Sequence, residues 1–336
     1  MPRLRLSWLA GKGKLKPSVR RSYQQHISHY LAPLLGEVPL ARLRAEHVSG
    51  VFETIRQWNS EIERQRAAGK ALIVLYGDAR KVPQVVGDST MHRIFATLRA
   101  ALNSAVKQRL IMFNPCAAVE LPPERHPDAR VWGPAEVGAF LDATAQDRLH
   151  LLWRLVLLLG LRRGEACGLR WEDLDLDSGH ARISQTLMQL GGKVLTGTPK
   201  SRTAARTVSL DEETVRLLTE QQKAQRRERF AAGSAYSDAG LVFADEVGRP
   251  YPPDRVSGWF KQASRDAGVP AIKLHEGRHS AATLALEAGL DIKIVSARLG
   301  HSQTSITHDL YQHVRRAVAD DAAERVAALV PRKAAL

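Results

Sequence analysis

The sequence predicts a mainly α-helical protein with a small antiparallel β-sheet, divided into a helical N-terminal domain and a mixed α/β C-terminal domain. Three observations lead to this class. Apolar residues recur at helical spacing from about Pro17 to Val119, the proline-dense stretch Leu121-Pro122-Pro123-Glu124-Arg125-His126-Pro127-Asp128 interrupts them, and beyond Gly133 helical stripes alternate with short β-like runs. At 336 residues the chain is too long for one ordinary core, and 44% apolar residues are enough to build two.

Residues 1–16 are a basic segment carrying Arg3, Arg5, Lys12, Lys14 and Lys16, and no acid precedes Glu37. A helical bundle is expected over 17–119. Its stripes are Tyr23, Ile27 and Leu31 at four-residue spacing, then Ile94, Leu98, Ala101, Leu102 and Ala105. Between them, 59–89 mixes the charged run Glu61-Ile62-Glu63-Arg64-Gln65-Arg66 with Gly69, Gly77, Pro83 and Gly87, which predicts a long, partly irregular connection. The interdomain linker is placed at 120–132, because each proline lacks an amide donor and restricts the residue before it.

The C-terminal domain, 133–314, begins with helical patterns around Pro134–Ala145 and Leu149–Leu159. The β-like runs Ala181–Gln189, Val194–Thr198 and Thr207–Leu210 then predict a small antiparallel sheet, with Lys200 at or near the tip of a hairpin between the last two. Helices return at Asp211–Arg227, Asp254–Ala267, Arg278–Ala288 and Ile292–Leu299. The tail, 315–336, sets Asp320-Asp321 and Glu324-Arg325 among alanine, valine and leucine, as an amphipathic helix does.

A formal net charge of +14 and a pI near 10.1 point to a polyanionic partner, nucleic acid first. The longest apolar run, Leu149 to Leu161, is broken by His150 and Arg154 and falls short of the roughly 20 residues of a membrane helix, so no membrane partner and a cytoplasmic location are expected. Two cysteines, Cys116 and Cys167, make neither a disulfide scaffold nor a cysteine zinc site. None of the Gly-Lys pairs is followed by the Ser or Thr of a phosphate-binding loop, and no cofactor is expected.

Five segments of the C-terminal domain concentrate chemically useful side chains: Gly160-Leu161-Arg162-Arg163-Gly164-Glu165, Thr198-Pro199-Lys200, Leu274-His275-Glu276-Gly277-Arg278-His279, Leu299-Gly300-His301 and Tyr311-Gln312-His313-Val314. Cleaving a phosphodiester without a metal requires an in-line nucleophile, an acid for the leaving oxygen and fixed positive charge around the other oxygens. Guanidinium groups supply the last, being permanently charged and able to bind two oxygens at once. On these boxes the chain resembles the tyrosine recombinases of the phage-integrase family over most of its length.

The resemblance implies a core-binding domain over 17–119, a catalytic domain over 133–314 and a role for each box. The family's Gly-x-Arg-x-x-Glu falls on Gly160, Arg162 and Glu165, making Arg162 the implied catalytic arginine and Glu165 its support. Lys200 is the implied general acid for the 5′ oxygen. His-x-x-Arg falls on His275 and Arg278, with His275 handling a proton, a role suited to a group whose unperturbed pKa of about 6.5 lies nearest neutrality. His301 is implied to donate a hydrogen bond to the scissile phosphate, and Tyr311 to be the nucleophile that forms a 3′-phosphotyrosyl intermediate. His279 is expected beside the site as a supporting neighbour. Arg202 and Arg206 near the hairpin, with Arg20 and Arg21 in the N-terminal basic stretch, are the expected DNA contacts.

His275-Glu276-Gly277-Arg278-His279 also satisfies His-Glu-x-x-His, a zinc-protease signature. That reading is disfavoured, because it places a permanent cation and a helix-weakening glycine inside the motif and finds Ala282 and Ala285 where an extended signature wants glycine and histidine. The favoured function is a site-specific recombinase that integrates or excises a phage or mobile element. Its implied partners are double-stranded attachment sites, three further copies of the chain in a homotetramer, and accessory DNA-bending or directionality factors, with the protein on the bacterial nucleoid. The alternatives are a non-catalytic DNA-binding regulator on the same fold and a type IB-like topoisomerase. Larger integrases add an N-terminal arm-binding domain, which 16 residues are too few to form. A two-domain recombinase, a longer parent protein and a basic remnant that touches DNA all remain open.

Overall fold

The computed structural model describes residues 7–13, 15–70, 74–76, 79–81, 84–124, 130–198 and 205–300. The chain divides into two units, Met1–Pro127 and Asp128–Leu336.

The first unit contains helices α1 (Ser7–Ala10), α2 (Pro17–His26), α3 (Ala32–Leu35), α4 (Ala45–Ala67) and α5 (Asp88–Lys107), with a short antiparallel hairpin of β1 (Val74–Tyr76) and β2 (Ala79–Lys81) before α5. The first predicted stripe runs out of α2 into a π-helical turn at Ile27–Leu31, where Ile27 and Leu31 are buried. The second lies on α5, where Ile94, Leu98, Ala101, Leu102 and Ala105 all face inward. Ile94, Leu98 and Leu102 share a core with Val48, Val51, Phe52 and Ile55 of α4, and the Phe52 and Phe95 rings pack edge to face at 5.7 Å. His26 Nδ1 lies 2.7 Å from Thr97 Oγ1 and joins α2 to α5.

The segment expected to be irregular from Asn59 onward is helical as far as Ala67. Its charged residues are helix formers at supporting spacings: Glu61 accepts from Arg64 and Gln65, three and four residues on, while Ile62 is buried. Asn59 ties α4 to the chain just before α5, donating to the Val86 carbonyl at 2.8 Å and accepting from the Val86 amide at 2.7 Å.

The second unit is built around α7 (His150–Leu159), which comes after α6 (Pro134–Ala143). Leu151, Leu152, Trp153, Leu155, Val156, Leu157 and Leu159 are all buried, the mark of a helix covered on every side. Trp132, Phe140, Trp153 and Phe260 form one aromatic cluster with ring centroids 5.1–6.5 Å apart. Trp132, expected from the sequence to lie in the linker, is a core residue of this unit: it is 1% exposed, its amide donates to Ser280 Oγ and its indole N–H to the Pro270 carbonyl, both at 2.8 Å.

After α8 (Arg163–Cys167) come β3 (Leu174–Asp175), β4 (His180–Ile183), β5 (Thr186–Leu190), β6 (Lys193–Gly197) and β7 (Arg206–Ser209), then α9 (Glu212–Ala232), α10 (Pro253–Asp266), α11 (Leu274–Glu287) and α12 (Ile292–Leu299). The strands form two antiparallel sheets, β3-β4-β7 and β5-β6. The run Ala181–Gln189 thus contains two strands of different sheets, and β6 pairs with β5 rather than β7. Gly191 and Gly192, both at positive φ, turn that hairpin, and Lys200, expected at or near a hairpin tip, lies outside the described residues.

Candidate active site

The site of the second unit is assembled where α7 and α12 end and α8 and α11 begin. Gly160 closes α7 in the left-handed conformation, φ 68° and ψ 31°, and a Cβ there would lie 2.2 Å from Leu299 Cδ2. Glycine is therefore required twice over, for its dihedrals and for the approach of α12. Two residues on, Arg162 caps α8. Its amide donates to Glu165 Oε2 at 2.9 Å and its Nη1 to Glu165 Oε1 at 2.7 Å. Arg163 is turned the other way, bonded to Ser257 Oγ and Asp254 of α10, so of the adjacent pair only Arg162 faces α12.

Glu165 is 3% exposed. Burial raises its pKa, but Arg206, by hydrogen bond and charge, together with the amide and guanidinium of Arg162, outweighs that and holds the carboxyl below its ordinary value. Arg206 Nη2 donates to Glu165 Oε2 at 3.0 Å and Arg206 Nε to the Arg298 carbonyl at 2.6 Å, leaving the side chain 6% exposed. The expectation that Arg206 faces DNA is corrected here: its fork is turned into the protein.

On α11, Glu276 Oε2 accepts from the Lys273 amide at 2.6 Å and caps the helix start, while Gly277 lets α11 lie against Leu157 of α7. The letters of His-Glu-x-x-His thus serve capping and packing. Arg278 comes next, 2% exposed, donating through Nη1 to the Gly160 carbonyl and through Nη2 to the Leu299 carbonyl at 2.6 Å. Among the described residues no carboxylate pairs with it. Burial and then the charge of Arg162 oppose its protonated form, and Glu165 partly offsets them; a guanidinium nevertheless keeps its charge.

The rings of His275 and His279 meet edge to face at 5.1 Å. Burial first, then His279, Arg278 and Arg162, lower the His275 pKa towards about 4. Its outer edge is exposed, so water screens those charges and limits the drop, but the direction leaves a neutral imidazole at pH 7. His279 is lowered likewise, chiefly by burial.

The structure thus brings Arg162, Glu165, His275, Arg278 and His279 together. Lys200, Arg202, His301 and Tyr311 lie outside the described residues, although Gly300, which precedes His301, accepts from Arg162 Nη2 at 2.8 Å. In the first unit Arg20, expected at DNA, donates instead to the carbonyls of Leu9 (3.2 Å) and Lys12 (2.6 Å) and anchors α1, whereas Arg21 is exposed. Sequence reasoning missed the inward bonds of Arg206, since nothing local marks a partner 41 positions away.

The second unit thus gathers arginines from three separate segments, at positions 162, 206 and 278, near one buried carboxylate, Glu165. The phage integrase family profile matches residues 134–317, more than half of the chain, and the chain belongs to that family. It is 31% identical over 235 residues to a XerC-like tyrosine recombinase of Caldanaerobacter subterraneus subsp. tengcongensis, covering 65% of this chain and 60% of that protein. With the ICEBs1 integrase of Bacillus subtilis the identity is 27% over 231 residues, 68% of this chain and 62% of the relative, so the chain spans about three fifths of these relatives. Its fold matches the Tn1549 transposon integrase solved with a circular intermediate DNA, at a TM-score of 0.73 and 19% identity over 96% of this chain and 98% of that one. It also matches a lambda integrase dimer bound to a core site, at 0.59 and 17% over 91% and 94%.

Proposed function

We propose that this protein is a site-specific tyrosine recombinase that cuts and rejoins double-stranded DNA at attachment sites, integrating or excising a phage or mobile element. The observation that carries the reading is Arg278, a buried cation whose described partners are all neutral carbonyls. An isolated buried charge is costly, and a phosphodiester seated on its free donors and those of Arg162 supplies the missing counter-charge. The net charge of +14 and the integrases among the relatives support the same substrate.

In this reading Tyr311 Oη attacks phosphorus, a 3′-phosphotyrosyl bond forms and the bond to the 5′ oxygen breaks. Lys200 protonates the leaving 5′ oxygen, and His275, neutral at pH 7, is free to accept the tyrosine proton. Arg162 and Arg278 stabilise the charge developing on the non-bridging oxygens, His301 adds a donor, Glu165 orients Arg162 and His279 packs against His275. Attack of the 5′ hydroxyl on the phosphotyrosine reverses the step, so rejoining calls for no cofactor. The protein works as a homotetramer on two sites with accessory DNA-bending or directionality factors, in the cytoplasm on the bacterial nucleoid; no described helix is long and apolar enough to cross a membrane.

The test is an SDS-resistant adduct assay with nicked duplexes from the DNA flanking the gene, without divalent metal. Wild type forms the adduct, and Tyr311→Phe binds the duplex but forms none. Equal adduct from both proteins would refute Tyr311, and salt-sensitive binding with no adduct on any fragment would favour a non-catalytic DNA-binding regulator.

A further inference from the structure

The last three carbonyls at the end of α12 are taken by three different arginines. Arg298 O accepts from Arg206 Nε at 2.6 Å, Leu299 O from Arg278 Nη2 at 2.6 Å and Gly300 O from Arg162 Nη2 at 2.8 Å. Carbonyls at a helix C-terminus lack partners within the helix, and the macrodipole places negative charge there, so cations are at home. Arg162 and Arg278 already belong to the proposed phosphate clamp. Arg206 does not.

Arg206 opens β7, opposite Ile183 of β4, and reaches two places at once. Its Nε holds the Arg298 carbonyl, and its Nη2 holds Glu165 Oε2, which also accepts the Arg162 amide; Glu165 Oε1 takes Arg162 Nη1. A carboxylate gripped at both oxygens cannot rotate, and the guanidinium resting on it inherits that orientation. We infer that Arg206 is a positioning residue for this site, setting the direction of Arg162 through Glu165 and the end of α12, from which His301 continues, through the Arg298 carbonyl. Its catalytic consequence rests on the recombinase reading, while its structural part does not. Lysine is a poor replacement, because it donates from one nitrogen rather than from two ends of a rigid plane.

The full chain labelled with 15N-arginine provides the first test. Arg162→Lys identifies the Arg162 side-chain signals, and Arg148, held by Glu228 and Tyr251, serves as a remote control. Arg206→Met is expected to shift or broaden the Arg162 signals and spare those of Arg148, with Arg206→Lys giving a similar but smaller change. In the adduct assay, Arg206→Met and Glu165→Gln should each slow adduct formation by roughly 10–100-fold, and the double variant should be no slower than either, because residues acting as a unit are not additive. The affinity for the nicked duplex should stay within about twofold, since positioning acts after binding.

Unchanged Arg162 signals in Arg206→Met would overturn the inference, as would losses that multiply in the double variant. Weakened duplex binding with an unchanged rate in the bound complex would make Arg206 a direct DNA contact instead. If Arg206→Met loses the Arg148 signals as well, it has not folded, and Arg206→Lys decides by the same criteria. Absence of adduct from wild type would count against the recombinase reading, and the spectra would still decide the role of Arg206.

Discussion

Substituting Gly160 with alanine should cost this protein much more than a methyl group ordinarily would. An alanine held at φ 68° incurs about 1–2 kcal/mol for the left-handed conformation. The new Cβ would also lie 2.2 Å from Leu299 Cδ2 and 3.4 Å from the Ala281 Cβ, and forcing an extra methyl into a packed core adds about 1–3 kcal/mol. The expected loss is thus about 2–5 kcal/mol, the sum of these two contributions. Urea unfolding followed by tryptophan fluorescence, to which buried Trp132 and Trp153 contribute, measures it. Leu299→Ala, itself expected to cost about 2–5 kcal/mol as a buried truncation, removes the clashing carbon. In that background Gly160→Ala should cost only its conformational share of about 1–2 kcal/mol. Because the same contact places two carbonyls that Arg278 grips, adduct formation by the single variant should fall about 100-fold, the usual consequence of misplacing reacting groups by an ångström. A loss below about 0.5 kcal/mol, or an equal loss in both backgrounds, would show that the approach of α12 to Gly160 is not what the glycine serves.

Two further outcomes are expected from the charges around that glycine. Glu165→Gln should destabilise the protein by about 3 kcal/mol, the lower end for removing one partner of a buried ion pair, and should also flatten the acid limb of stability against pH. The carboxyl has a folded pKa below its unfolded value, so its contribution is complete above about pH 4.5 and disappears as pH falls through the folded pKa; thermal melts of both proteins from pH 3 to 7 show whether the difference narrows in acid. His275, observed by NMR, should titrate below about 6.5 in the free protein, and a bound duplex should raise its pKa, because a phosphate anion favours the imidazolium that Arg162 and Arg278 oppose. A His275 that titrates above 6.5 without DNA would contradict the cationic surroundings described for it.

Much of this architecture was legible because local rules agree with the tertiary result. The run 151–159, apolar except for Arg154, could be little other than a central helix, the stripe on α5 fell on its buried face, and α12 has the predicted bounds. The boxes containing Arg162 and Arg278, far apart in sequence, converge on the end of α12 because each lies beside a glycine or helix start. Strand pairing was not legible. β6 has runs on both sides of similar character, and only the two positive-φ glycines at 191 and 192 decide that it turns back on β5. The charged face of α4 read as a loop because glycine and proline further along dominated the window, whereas the i, i+3 and i, i+4 pairs of Glu61 were the better signal. Arg20 and Arg206 looked like DNA contacts because charge is visible in a sequence and direction is not. Each holds backbone carbonyls of its own unit.

The three arginines on the end of α12 come from positions 162, 206 and 278, and each is held only when the carbonyls of residues 298–300 are in place. The arginines of the candidate site are therefore assembled by the same bonds that complete the fold. If the recombinase reading holds, a partly unfolded copy would keep its positive charge but lack the organised arginines, so the proposed chemistry would become available only once the second unit has folded.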